Sequence, residues 1–157
     1  MYMDKDEHCF YGTHSIRANQ LKELGFFPAL VDILAVAPIV GFEYGRRAQR
    51  NDQDNEEKSM FLGQLKRIDT NAELNYKTIM LLDVDYEPKE EKRYQKAFQT
   101  AADQRLPEDL ERYEEYVRGG VDFLYEKLVG TGNTQSERLG ELYEFVESFT
   151  NRYSKQE

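Results

Sequence analysis

The chain has 157 residues, of which 39% are hydrophobic and 32% are charged, and its net charge is −9. This length suits one domain with a buried core, and the supply of eleven tyrosines and nine phenylalanines argues against general disorder. The excess of acidic residues lies in residues 51–157. Because it disfavours binding to the phosphate backbone of nucleic acids, we expect no direct nucleic-acid ligand. A single cysteine excludes an internal disulfide and no secretory leader pattern begins the sequence, which predicts a cytoplasmic protein.

The first half of the chain is organised around one apolar stretch. Residues 1–14 are interpreted as an N-terminal arm, and its first dozen residues are the only part of the sequence with a strand-like alternation. The apolar stretch at 26–42 reads FFPALVDILAVAPIVGF. It is short for a membrane span and contains Asp32 and Pro38, so no membrane insertion is expected. Proline removes a backbone donor, which predicts a core helix near 28–50 that kinks or breaks at Pro38 and resumes toward Arg50.

The middle of the chain reads as a link followed by helices. Residues 51–57, NDQDNEE, indicate an exposed link. Apolar residues at steps of three or four, beginning at Phe61, predict a helix over 57–82, which could be interrupted near Asp69 to give two shorter helices. A further helix is expected to start at Pro88, with its apolar residues facing inward: Tyr94, Phe98 and Ala101.

The last third carries the clearest helical patterns. From Pro107 to Gly130 one apolar stripe recurs at steps of three and four: Leu110, Tyr113, Val117, Val121, Leu124 and Leu128. Gly119 and Gly120 interrupt this helix and suggest close helix contact or a local break. After the turn GTGN, Thr134 and Glu137 fit a capping box, and the spacing of three and four residues then recurs in Leu139, Leu142, Val146, Phe149 and Tyr153. We therefore predict an all-α, single-domain bundle of five to seven helices over 1–157, with a frayed tail at 153–157.

Few residues suggest metal or nucleophile chemistry. His8, Cys9 and His14 are close in sequence, but they match no standard zinc spacing and no residue that would orient a Cys-His pair is evident. Asp83, Asp85 and Glu87 resemble the start of a calcium loop, yet Pro88 replaces its turn glycine. We interpret this run as an acidic helix start, and predict no metal and no cofactor.

Two charged features remain open. Asp32 lies among apolar neighbours, so we expect it to be buried and paired with Arg17, Arg46 or Arg47 in a structural ion pair, more readily than in a catalytic role. Arg46, Arg47 and Arg50 form the one basic cluster. It could bind an acidic partner, although at helical spacing it more simply forms a solvated helix face.

These features favour a non-enzymatic protein–protein interaction module, such as a small subunit, adaptor or inhibitor. Tyr116, Phe123 and Tyr125 lie beside the core stripe of the helix predicted from Pro107, which therefore has more apolar side chains than a single core contact needs. These three residues, with Arg46, Arg47 and Arg50, are the candidate contacts to a protein partner or to a second copy of the chain.

Two other function classes stay open. One is an acidic inhibitor that imitates nucleic acid through carboxylates such as Glu137, Glu141 and Glu144, although fifteen basic residues are interspersed through 51–157. The other is a ligand-binding or enzymatic bundle with a site near Asp32, for which no motif is present.

Overall fold

The structure is a computed structural model that describes residues 1, 7–51, 56–129 and 134–154. About 70% of these residues are helical, in seven α-helices, and a two-stranded sheet completes the fold, which confirms the predicted helical bundle. No helix in the described part of the chain is long and apolar enough to cross a membrane. The elements in order are β1 Glu7–Tyr11, α1 Gly12–Glu23, α2 Leu30–Glu43, β2 Glu57–Phe61, α3 Leu62–Leu65, α4 Asp69–Leu82, α5 Glu90–Tyr94, α6 Pro107–Leu128 and α7 Gln135–Ser154.

The centre of the bundle is the close contact between α2 and α6. A Cβ atom on Gly120 would lie 1.8 Å from the carbonyl oxygen of Ala37, and one on Gly41 would lie 2.1 Å from that of Tyr116. Only glycine allows two backbones to approach so closely, because any side chain would overlap the facing carbonyl. Of the two alternatives predicted for Gly119 and Gly120, close helix contact or a local break, the structure has the close helix contact at Gly120, whereas Gly119 lies against the backbone of Arg46 beyond the end of α2.

The apolar helix ends earlier than the sequence predicts. α2 runs unbroken through Pro38 and stops at Glu43, and Gly45, at φ 62°, turns the chain in the left-handed region that glycine favours. Residues 46–50 then form a strap without regular structure along α6: the N–H of Ala48 donates to the carbonyl oxygen of Glu115 at 3.0 Å. The predicted continuation of the helix to Arg50 is wrong, because the turn at Gly45 redirects the chain.

The helix expected at 57–82 begins instead with a strand. β2 pairs antiparallel with β1, so that Glu7 lies opposite Phe61 and Tyr11 lies opposite Glu57. Met60 points into the core while Phe61 is exposed, which reflects the alternation of side chains in a strand. The break near Asp69 is real, since α4 starts there. Glu57 of the predicted link belongs to β2, and residues 52–55 lie outside the described residues.

The segment after Pro88 turns a different face inward. Helix α5 begins at Glu90 and continues as a π-helical turn over Gln95–Gln99, in which Ala97 is buried. A π turn adds a residue to the repeat and shifts the side chains that follow. Tyr94 and Phe98, predicted inward, are about half exposed, and Ala101 is also exposed; the π turn accounts for the shift at Phe98 and Ala101, which lie within and after it.

The last two helices follow the sequence signals closely, with one exception. The apolar stripe of α6 is buried from Tyr113 to Leu128. The capping box is also confirmed: the N–H of Thr134 donates to Glu137 at 2.8 Å, and the N–H of Glu137 donates to the Thr134 hydroxyl at 3.2 Å. Helix α7 continues to Ser154, so the tail begins later than predicted; residues 130–133 and 155–157 lie outside the described residues.

The exception is the inward face of α7. Its partly buried apolar residues are Leu142, Phe145 and Phe149, whereas Leu139, Val146 and Tyr153, which belong to the apolar pattern seen in the sequence, are exposed. A helix with two adjacent apolar stripes leaves the choice of stripe to its tertiary contacts.

Replacing Gly120 with alanine tests the helix contact. Gly120→Ala should lower the free energy of unfolding by about 3 kcal/mol or more, since its Cβ would overlap backbone that cannot move aside. The matched control is Gly140→Ala on α7, where a Cβ meets nothing within 4 Å and should stabilise by up to about 1 kcal/mol. Urea unfolding of both variants measures the difference; similar stabilities would contradict the contact.

Candidate functional site

The basic cluster of the strap is engaged within the chain. Arg46 lies 2.6 Å from Glu126 and Arg47 lies 3.3 Å from Glu115, while the guanidinium of Arg50 stacks 3.6 Å from the centre of the Tyr11 ring. These contacts attach the strap to α6 and to β1. The three arginines do not share a helix face, because the strap is not helical; Arg47 and Arg50 are exposed to solvent, and each of the three has a contact within the chain.

Two of the three candidate aromatic residues are covered. Tyr116 is 5% exposed and Phe123 is 8% exposed. Phe42 packs edge-on against Tyr116 with ring centres 5.3 Å apart, and Tyr44 stacks on Phe123 at 4.1 Å. The prediction that these two contact a partner does not fit their burial. Tyr125 is partly exposed, beneath the Arg17 guanidinium at 5.3 Å.

The hydroxyl of Tyr116 belongs to a buried ion pair that the sequence analysis assigned to the wrong residue. Asp83 is 3% exposed; it accepts hydrogen bonds from Arg112 Nε at 2.7 Å and from the Tyr116 hydroxyl at 2.9 Å. Burial raises the pKa of Asp83, although the bonds from Tyr116 and the backbone of Tyr86 oppose this effect. Burial and the bond to Asp83 raise the pKa of Tyr116, which keeps its hydroxyl protonated as a donor.

The residue expected to be buried, Asp32, is partly exposed in the first turn of α2. Its Oδ1 lies 3.5 Å from Arg67, whereas its shielded Oδ2 has no hydrogen-bond partner within the described residues. Arg17 pairs instead with Asp122, at 2.6 Å. The prediction of a pair with Arg17, Arg46 or Arg47 is therefore wrong, because these arginines are held by α6. In the sequence, the only sign of the Asp83 ion pair is that its two partners, Arg112 and Tyr116, are four residues apart and therefore lie on one face of α6.

The two histidines and the cysteine line one cavity of about 360 Å³, but each has its own polar partner. Side chains alternate along β1, so His8 faces Glu114, at 3.1 Å, while Cys9 contacts the Ser59 hydroxyl at 3.1 Å on the other face. His14 lies 3.3 Å from Asp122 on α6. Within the described residues there is no group of three or more His, Cys, Asp or Glu side chains that could hold a metal ion.

An apolar groove lies between α2 and α7. It has a volume of about 320 Å³, and we call it the α2–α7 groove; it is lined by Ala35, Val36, Ile39, Val40, Phe145, Val146, Phe149 and Thr150. Val36 is 40% exposed and Val146 is 53% exposed. An apolar depression of this kind typically binds another apolar group.

The groove continues into a second stripe on α7. We call this the outer stripe: it follows the three-four spacing through Leu139, Tyr143, Val146, Thr150 and Tyr153. Leu139 is 60% exposed and Tyr143 is 69% exposed. Leu139, Val146 and Tyr153 of this stripe belong to the apolar pattern that predicts α7, but periodicity alone does not say which stripe of a helix is covered.

Helices α2 and α7 run alongside each other in the same direction. Leu139, near the start of α7, shares a small cavity with Phe26, which precedes α2. At the other end, Arg152 and the Tyr153 hydroxyl bind the carboxylate of Glu43 at 2.9 Å and 3.0 Å. The groove therefore lies along two aligned helices and is bounded at one end by this polar contact.

Comparison with known protein families, curated proteins and solved structures gives no match. The assignment of a function therefore depends on the residues and surfaces described above.

Removing the Tyr116 hydroxyl tests the buried ion pair. Tyr116→Phe should cost about 1–2 kcal/mol of unfolding free energy, because it leaves the buried Asp83 with one donor fewer. Tyr143→Phe, in which an exposed tyrosine loses the same atom, should change stability by less than about 0.5 kcal/mol. Equal effects in chemical denaturation would show that the hydroxyl bond does not stabilise the fold.

Asp122 gives the fold a defined response to acid. Burial favours its neutral form, but the bonds to His14 and Arg17 outweigh burial and lower the pKa of Asp122 below its usual value. A group with a lowered folded pKa stabilises above its unfolded pKa of about 4, and this stabilisation is lost as pH falls through the folded value. Unfolding measured from pH 6 to pH 2 should show a smaller acid loss in Asp122→Asn than in the unsubstituted chain. A parallel pH dependence would contradict this.

Proposed function

We propose that the chain is a non-enzymatic protein–protein interaction module that binds its partner through the α2–α7 groove and the outer stripe. The observation that carries the proposal is the row of exposed apolar side chains at helical spacing on α7. Exposed apolar surface arranged in a continuous row is typical of a protein interface. The earlier candidates on α6 give way to this surface, because Tyr116 and Phe123 are buried.

The environment of α2 supports the same proposal. Its sequence is apolar on all sides, and such a helix is normally covered all round. One side packs against α6, yet Val36 and Ile39 remain on the open side next to α7. A partner that filled the groove would complete the cover of α2 and bury the outer stripe at the same time.

The alternatives have less support. An acidic mimic of nucleic acid needs a surface of unpaired carboxylates. On α7, Glu137 is bound in the capping box, and on the neighbouring α6 Glu111 pairs with Arg118, Glu115 with Arg47 and Glu126 with Arg46. For an enzymatic site near Asp32, Arg67 is the ion-pair partner found among the described residues, and acid–base chemistry would need a second titratable group nearby. The cytoplasmic location stays a prediction from the single cysteine.

Substitutions in the groove test the proposal. The full chain, tagged, would be used to capture proteins from nuclease-treated extracts of its native host at low and high salt. We expect a stoichiometric partner that survives high salt and is lost from the double variant Val36→Glu/Val146→Glu, since two buried carboxylates would oppose an apolar interface. Both positions are partly open, so the variant should keep its helical circular dichroism.

The matched control is Leu74→Glu, at an exposed leucine of α4 that is 64% accessible and lies outside the groove. It should capture the partner as well as the unsubstituted chain does. Light scattering on the purified proteins would detect a second copy as the partner. A partner held equally by the double variant, or loss of binding in Leu74→Glu as well, would contradict the proposed surface.

A further inference from the structure

We infer that the outer edge of β1, which faces away from β2, pairs with the same edge of a second copy of the chain. Two copies would then share one four-stranded sheet. The inference goes beyond the proposed function, since the cavity beside this edge shares no lining residue with the α2–α7 groove. It depends on the direction of the backbone groups, on the open space next to them and on the side chains along the strand.

Every second residue of β1 directs its backbone groups away from β2. The N–H of Gly12, next to the strand, donates to the carbonyl oxygen of Glu56 at 2.8 Å. Residues of an antiparallel ladder alternate between bonded and non-bonded pairs, so in the observed register His8 and Phe10 bond to β2, whereas Cys9 does not. The N–H and the carbonyl oxygen of Cys9 have no hydrogen-bond partner among the described residues, and they point to the outer edge.

Open space lies along this edge. A cavity of about 360 Å³ is lined by all five residues of β1 and by side chains of the strap and α6. Glu114 of α6 contacts His8, whose side chain is on the other face of β1 from Cys9, so α6 packs beneath the sheet and not in its plane. An open sheet edge is satisfied by an extended segment, because a helix uses its own backbone groups internally. The edge therefore selects a strand as its occupant.

The outward face of β1 is complementary to a second copy of itself. In an antiparallel pair with its twofold axis at Cys9, Cys9 would exchange both hydrogen bonds with Cys9 of the other chain, and Glu7 would lie opposite Tyr11. The guanidinium of Arg50 lies 3.6 Å from the centre of the Tyr11 ring, so Glu7 of each chain would approach Arg50 of the other. Glu7 is exposed and has no ion-pair partner within the described residues. Opposite charges at facing strand positions stabilise such a pair.

The inward face adds a contact of its own. A strand of an unrelated protein would bond the same backbone groups, but in the twofold pair His8 would also lie opposite Phe10 of the other chain. These two rings already pack edge-on within one chain, with their centres 5.8 Å apart, and aromatic pairs across strands are favourable. Because the twofold axis repeats each contact, a second copy matches this edge on both faces.

Sedimentation of the full chain under reducing conditions tests the inference. A small interface should give a monomer–dimer equilibrium between about 10 μM and 1 mM. Cys9→Pro removes the outward N–H, and proline is tolerated where the N–H of an edge strand faces away from its neighbour. It should weaken the dimer by at least about tenfold, since two symmetric hydrogen bonds are lost. The matched control Cys9→Ser loses the same thiol but keeps the N–H, and should change association less than about threefold.

Amide exchange gives the same answer without a substitution, in case Cys9→Pro disturbs the fold. The N–H groups of Cys9 and Tyr11 point outward in the ladder, so their exchange should slow as the concentration of the unsubstituted chain rises. The N–H of Phe10 bonds to β2 within the chain and serves as the internal control, because its exchange should not follow dimer formation.

Oxidation traps the proposed register. Cys9 is the single cysteine, and in the twofold pair the two Cα atoms would be about 5.5 Å apart, within the range for a disulfide. Diamide takes two electrons and two protons from the two thiols as the S–S bond forms, and is reduced to the hydrazine. The control Cys9→Ser/Ser59→Cys exchanges two residues that touch at 3.1 Å and moves the thiol to β2. There the two sulfurs would be three strand spacings apart, about 14 Å, so only the unsubstituted chain should form a covalent dimer.

Three results would overturn the inference: a chain that stays monomeric over this concentration range, equal association of Cys9→Pro and Cys9→Ser, or equally fast covalent dimers of the unsubstituted and exchanged chains. The two proposals fail separately. Val36→Glu/Val146→Glu should lose the captured host partner and keep the β1 dimer, whereas Cys9→Pro should do the reverse. A dimer that Val36→Glu/Val146→Glu abolishes would belong to the groove and would contradict pairing through β1.

Discussion

The contact between the backbones of α2 and α6 is the constraint on which the rest of the structure depends. Gly41 and Gly120 bring the two helices so close that each approaches a carbonyl group of the other. A pair packed at this distance has little rotational freedom, because ordinary side chains flank the glycines and fix the register. The orientation of α2 is thereby set, and with it the line of residues that α2 presents on its open side.

The strap that follows α2 also lies close to the backbone of α6. Gly119 lets the carbonyl group of Arg46 lie against α6, where a Cβ would be 2.1 Å from its oxygen. The strap and α2 then cover Tyr116 and Phe123, and the arginines of the strap meet carboxylates of α6. Much of the charge in this acidic protein is therefore internally paired, and the apolar face at α7 lies apart from these pairs.

How far the fold could be predicted from the sequence depends on whether the determining contacts are local. The stripe of α6 and the Thr134–Glu137 capping box are set within a few residues, and both were predictable. The pairing of β2 with β1 joins residues about fifty positions apart, so Phe61 was assigned to a helix. For the same reason Asp32 was taken for the buried carboxylate in place of Asp83, whose partners Arg112 and Tyr116 lie on a distant helix.

The candidate site could not be predicted for a related reason: what distinguishes it is that one apolar face of α7 is not covered by the rest of the chain. Helix α7 has apolar residues over a wide arc, and none of them is fully buried within the chain. Since most of the stability of a helix in a protein comes from the tertiary packing of its apolar face, the packing of Leu142, Phe145 and Phe149 has to hold α7 in place. An occupant of the α2–α7 groove would contact α7 on its second apolar side, so that partner binding and the stability of α7 are thermodynamically linked. The exposed row of apolar side chains on α7 would then supply the binding energy for such a partner.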